Sequence, residues 1–191
     1  PFAVGMKVFF SQHKKFGRAA GTVVRNTIAS VALGTSLRES RQLKLSKSFF
    51  QDSYCLGYCL MYVQLLREVT FKGKKWGKVK SGEFINEAFE EIRKDDCEIS
   101  VQEIMANVMR AASTEDFERA KTDAATHFGA VNGILRDDDP DPIAREARRI
   151  SPDLEDQAEL FDPQMDRKSV SLAYAVLSLT LLPELKKRFK T

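Results

Sequence analysis

The chain has 191 residues and is poor in several residue types at once: three cysteines, two histidines, one tryptophan and six prolines. Three cysteines, Cys55, Cys59 and Cys97, cannot close a disulfide framework, which points to a reducing compartment and a cytoplasmic location. Two histidines, His13 and His127, leave a zinc site short of ligands, and no C-x-x-C or H-x-x-x-H spacing exists. Phosphate-cradling motifs of the G-x-G-x-x-G and Walker A types are missing, as is the G-x-S-x-G nucleophile turn. No cofactor is implied.

Long apolar runs are also lacking. The longest, Val170 to Pro183, falls short of the roughly 18–20 residues a membrane-spanning helix needs, so no transmembrane segment is expected. Residues 1–30 do not read as a secretory signal, because Lys14, Lys15 and Arg18 follow the first apolar patch and no cleavage site follows them. Pro1 stands where an initiator Met would, which implies upstream sequence.

Acidic residues are nearly absent from the first quarter of the chain. Residues 1–51 hold nine basic side chains and one acid, Glu39, whereas residues 95–169 hold nineteen acids against nine bases. The net charge of +3 conceals this segregation. A basic segment of this kind suits an anionic partner.

What is present is helical periodicity, with period-2 alternation almost absent. Phe16, Ala20, Val23, Thr27 and Val31 form one stripe that Gly34 ends. A short basic helix is expected over residues 36–46. The segment from about Ser48 to Val69 is apolar around most of its circumference, which marks a central helix. Within it Gly57 costs about 1 kcal/mol relative to Ala, and close approach of a second helix explains its presence. Tyr54, Tyr58 and Tyr62 repeat every four residues there and read as core.

Beyond a Gly- and Lys-rich loop, Ser81 is expected to cap a helix with Phe84, Ala88, Phe89 and Ile92 inward. Ser100 and Glu103 make a capping box, and Ser113 with Asp116 a weaker one. A stripe of Phe117, Ala120, Ala124, Phe128, Val131 and Leu135 follows. Asp141–Pro142, Ser151–Pro152 and Asp162–Pro163 each pair a capping residue with proline at the first helical position. The last helix, from Lys168, is expected beside the central one and continues or restarts at Pro183.

The sequence therefore predicts an all-α fold: one irregular bundle of seven to nine helices around a buried central helix near residues 48–69. It forms a single domain over 1–191, with a mobile basic N-terminal segment 1–15 and an acidic loop 137–142. Asp137, Asp139 and Asp141 fit the first ligand positions of a calcium loop, but Pro142 and Arg148 stand where Gly and Glu are required. Asp123 and His127, four apart, are placed to pair, which would raise the His pKa.

The best binding signal is the loop 72–80, where Lys72, Lys74, Lys75, Lys78 and Lys80 surround Trp76, together with Lys14, Lys15 and Arg18. It predicts a non-enzymatic interaction or regulatory module with a basic surface for an acidic protein partner. Nucleic acid or anionic lipid is the alternative, since lysines neutralise phosphates and an exposed indole stacks on bases or enters a lipid interface.

A second alternative rests on two short patterns, "GYC" ending at Cys59 and "LFDP" containing Asp162. Here the chain resembles, over about a dozen residues, papain-like bacterial effector proteases, in which a G-x-C opens a helix and an F-D-P carries the orienting Asp. The resemblance implies a cysteine hydrolase with Cys59 (or Cys55) as nucleophile, His127 as base and Asp162 orienting it. The chain departs from that pattern where His127 sits on a helical stripe and Cys59 lies in mid-helix.

Overall fold

The computed structural model describes residues 2–33, 45–71, 78–94, 98–136, 138–154 and 167–189, with side chains for all of these except 2–11, 30–33, 78–79 and 167. Among the described residues the fold is all-α, with eight α-helices and no strand. These are α1 (Phe2–Leu33), α2 (Ser53–Phe71), α3 (Lys78–Arg93), α4 (Val101–Ala111), α5 (Glu115–Val131), α6 (Pro142–Ile150), α7 (Arg167–Leu179) and α8 (Leu181–Phe189). A 3-10 turn, Phe49–Gln51, leads into α2. The chain divides into two compact units, Pro1–Thr27 with Lys44–Lys121, and Ile28–Leu43 with Thr122–Thr191.

In the first unit α2 is the central helix. Every residue from Tyr54 to Cys59 is buried, followed by Tyr62 and Val63. A stretch apolar on all sides has no face to give to water, so neighbours surround it: α3, α4 and the 3-10 turn pack against it. The helix begins at Ser53, later than the pattern suggests, because the Asp52 carboxylate accepts the Cys55 N–H at 3.0 Å and caps it. Gly57 has the role expected of it. A β-carbon there would lie 2.5 Å from the Phe117 carbonyl oxygen and 3.2 Å from Ala120 Cβ, so α2 meets α5 backbone to backbone.

Helix α1 joins the unit through a second seam without side chains. A β-carbon on Gly17 would lie 2.7 Å from the Phe84 carbonyl oxygen, and one on Gly21 would collide with that of Ala88. The buried residues of α1 beside this seam include His13, Gly17, Ala20, Gly21 and Val24, with Arg25, Ile28 and Ala29 buried further along. The expected stripe coincides with these only in part: Ala20 is buried and Thr27 half-buried, while Phe16 and Val23 are 40% and 43% exposed. Counting apolar side chains misses a face whose contacts are made by glycine. Val31 lies outside the described side chains, and the helix expected over 36–46 falls mostly outside the described residues; Leu45 and Ser46 are not helical.

Helix α3 starts at Lys78, so Ser81 is internal rather than a cap, and Lys78 and Lys80 belong to a first helical turn instead of a loop. Burial of Phe84, Ala88, Phe89 and Ile92 outweighs the roughly 1 kcal/mol cost of Gly82 in the helix. The Ser100 hydroxyl accepts the Glu103 N–H at 3.1 Å, as a capping box requires. At α5 the cap is Thr114, not Ser113, with its hydroxyl accepting the Phe117 N–H at 3.3 Å. Inside the unit, the Asn107 amide donates to the Phe50 carbonyl at 2.9 Å, tying α4 to the 3-10 turn.

In the second unit α6, α7 and α8 pack in sequence, with Ala130, Ala147, Ala173, Ala175 and Val176 at the core. Helix α7 thus has α6 and α8 as neighbours here, while α2 belongs to the other unit. Helix α5 ends in a Schellman turn: Gly133 has φ +63°, its N–H reaches the Ala130 carbonyl at 3.2 Å, and the Ile134 N–H reaches that of Gly129 at 2.8 Å. Asp141 caps α6 as expected, accepting the Ile143 N–H at 2.9 Å ahead of Pro142. Residues 151–154 form a 3-10 turn, and Asp162–Pro163 lies outside the described residues.

Candidate functional site

Of the cations expected to form a basic surface, the described ones stand on α1 and the start of α3. The glycine seam brings the two helices so close that α3 glutamates lie alongside α1 cations. Glu87 takes both Lys14 (Nζ to Oε1, 3.5 Å) and Arg18 (Nε to Oε2, 2.9 Å). Thr22 reaches Glu91 at 3.3 Å one turn on. Two cations sharing one carboxylate keep a positive surplus at that edge, and both remain more than half exposed. Lys15 is exposed on the outer side and makes no ion pair among the described residues. Lys80 is exposed on α3. Lys72, Lys74, Lys75 and Trp76 lie outside the described residues, as does the Lys78 side chain.

Beneath these cations lies an aromatic cluster. Phe71 from α2 meets His13 (5.9 Å), Phe16 (5.3 Å) and Phe84 (6.2 Å) edge to face. His13 is 5% exposed, and burial lowers its pKa; Lys80 adds to the lowering and Glu83 opposes it.

Glu87 and Glu91 are the partners that sequence reasoning missed. The signal was "GRAAG": glycines four apart on a helix, with Phe84 and Ala88 four apart on the next, announce a close crossing. Glu87 and Glu91 then fall beside the crossing by spacing alone.

The residues of the hydrolase reading have other surroundings. Cys55 and Cys59 carry thiols outside any disulfide, at 0% and 1% exposure, and burial pushes the Cys59 thiol well above its ordinary pKa. A nucleophilic cysteine needs the opposite, a stabilised thiolate. His127 is 2% exposed, and its pKa is lowered to about 3 by burial. The shift therefore runs opposite to the expected one, and its cause is the burial of the ring, which disfavours the imidazolium. Asp162 lies outside the described residues.

The tyrosine stripe is core: Tyr54, Tyr58 and Tyr62 are at most 3% exposed, Tyr58 and Tyr62 stack at 6.0 Å, and the Arg119 guanidinium sits 4.9 Å over Tyr54. In the acidic loop Asp139 accepts the Asp141 N–H at 3.0 Å, and the second Asp141 oxygen takes the Thr126 hydroxyl at 2.6 Å. These two carboxylates are engaged in turn and capping bonds; Asp137 lies outside the described residues. Among the described residues no group of three metal-binding side chains is found, and no helix is long and apolar enough to cross a membrane. No family model, curated protein or solved structure matches the chain.

Proposed function

We propose that the protein is a non-enzymatic helical interaction module of the cytoplasm that presents a basic surface to an acidic protein partner. The observation carrying this reading is the distribution of charge over the first unit. Its residues hold eighteen basic and thirteen acidic side chains, and α1 contributes bases with no acid. Such a field steers an oppositely charged partner and sets orientation more than it adds raw affinity. The odd and small number of cysteines, three in the chain, supports a reducing compartment. The burial of Cys55 and Cys59 lends nothing to the hydrolase alternative.

The test is a titration of the protein with poly-L-glutamate, with duplex and single-stranded oligonucleotides, and with phosphatidylserine vesicles, at several salt concentrations. Binding to the polypeptide anion should fall steeply with salt, and by about tenfold or more when Lys74, Lys75 and Lys78 are replaced with Glu. Affinity indifferent to both salt and charge reversal would remove the reading. Preferential binding of the oligonucleotides or vesicles would replace the protein partner with phosphate.

A further inference from the structure

Helix α1 has two different sides. Its inner side is spent on the glycine seam, with Gly17 and Gly21 against α3. At 100° per residue the opposite side is lined by Lys15, Ala19, Thr22 and Asn26, with Thr22 at the edge nearest α3, where its hydroxyl reaches Glu91. The first three of these are exposed and Asn26 is half-buried. Phe16 and Val23, seven apart, fall on one line along its border and are 40% and 43% exposed. Arg18, 66% exposed, borders it on the other side. The face is thus a short apolar strip of Phe16, Ala19 and Val23 beside a row of cations. Over its whole length α1 has five basic residues and no acidic one.

We propose that this outer face of α1 docks an amphipathic acidic helix from a partner protein. The proposal rests on the basic-surface reading and locates its contact. Three features select the occupant. First, Ala19 and Thr22 are small, so a second helix can approach to the roughly 8–10 Å at which helices pack, with its own apolar residues covering Phe16 and Val23. Second, carboxylates flanking that apolar stripe would meet Lys15 and the 66%-exposed Arg18, which with Lys14 shares the single carboxylate of Glu87, and α1 itself carries no acid. Third, the alternatives fit less well. A helix lying in a lipid interface buries a broad face of large apolar residues, whereas the middle of this one is Lys15, Ala19 and Thr22. A nucleic acid makes most of its contacts through phosphates, which gain nothing from the exposed apolar side chains of Phe16 and Val23.

The experiment uses the full chain and a dye-labelled synthetic helix bearing leucine along one face and glutamate elsewhere, followed by fluorescence anisotropy. Binding is expected, with the double variant Lys15→Glu, Val23→Ser weakening it by about tenfold or more at an unchanged melting temperature. Phe16→Ala, which also touches Phe71, serves as a second variant, scored only if its melt is unchanged. Loss of binding on reversal of Lys74, Lys75 and Lys78, with no effect of Lys15→Glu, Val23→Ser, would overturn the placement and leave the basic-surface reading standing. Failure of the labelled helix while poly-L-glutamate binds would likewise overturn the helix proposal alone. Failure of both acidic probes would overturn both. Displacement of the labelled helix by a vesicle or oligonucleotide that binds more tightly, and is itself weakened by Lys15→Glu, would reassign the face to that ligand.

Discussion

Gly57→Ala sets local propensity directly against packing. As a helix-interior residue, glycine costs about 1 kcal/mol relative to alanine, so propensity alone predicts stabilisation by that amount. The new β-carbon, however, would stand 2.5 Å from the Phe117 carbonyl oxygen and 3.1 Å from Phe117 Cα. Heavy atoms pack at about 3.5 Å, so α5 must retreat from α2 by about 1 Å, and the obstacle is backbone, which has no rotamer to change. Overpacking of this kind costs ~1–3 kcal/mol, and a backbone clash belongs at the upper end. Offsetting ~3 by ~1 leaves a net loss of about 2 kcal/mol, or a fall in melting temperature of about 4–8 °C for a chain this long. Urea denaturation monitored by far-ultraviolet circular dichroism measures it. The matched control is Gly82→Ala: Gly82 also lies within a helix, α3, but a β-carbon there meets nothing within 4 Å. That variant should gain about 0.4–1 kcal/mol. A Gly57→Ala protein as stable as the wild type, beside a stabilised Gly82→Ala, would refute the claim that α2 and α5 touch through their backbones.

Further outcomes follow from the same reasoning. His127 binds its proton with a pKa of about 3 in the folded chain against about 6.5 unfolded, so stability is fully present above the unfolded value and lost as pH falls below it. Between pH 7.5 and pH 5 this group alone should remove about 2 kcal/mol, read as a falling urea midpoint; His127→Phe should flatten the drop, and an unchanged slope would count against a buried neutral imidazole. In a Cys97→Ser background, Cys55 and Cys59 should react with Ellman's reagent only at the rate of unfolding, and rapid reaction in native buffer would contradict their burial. Asp141→Ala removes the α6 cap and the Thr126 partner together, for a loss of about 2–3 kcal/mol, and Thr126→Val in the same protein should then add little beyond it. Gly133→Ala forces a β-carbon into the left-handed region and should cost about 1 kcal/mol in chemical denaturation.

The fold class was legible because its signals are local. Ser100 and Asp141 cap where their spacing says they should, and the α2 pattern, apolar on every side, has one physical solution, a surrounded helix. Gly57 was readable for the same reason: a residue that costs stability locally must be repaid by a neighbour. Legibility failed where the deciding contact came from another element. Ser81 has the chemistry of a cap, but the burial of Phe84 and Ala88 extends α3 back past it. Phe16 and Val23 resemble a core stripe until glycine is allowed to count as a contact surface. His127 and Asp123 have the spacing of an ion pair, yet desolvation, which no spacing encodes, sets the direction of the shift. The run of bases on α1 was visible as charge, and the pairing of Lys14 and Arg18 with Glu87 was not, because those contacts span two helices.

The α1–α3 seam also acts as a register stop. Gly17 lies over Phe84 and Gly21 over Ala88, so the two helices run in the same direction and meet at matched four-residue intervals. Sliding α1 by one turn either way would replace one glycine with Arg25 or with His13 at a contact that admits no β-carbon. The glycine contacts therefore admit a single axial position, the Arg18–Glu87 and Thr22–Glu91 bonds form at that same register, and the cations on the outer side inherit that fixed height above α3.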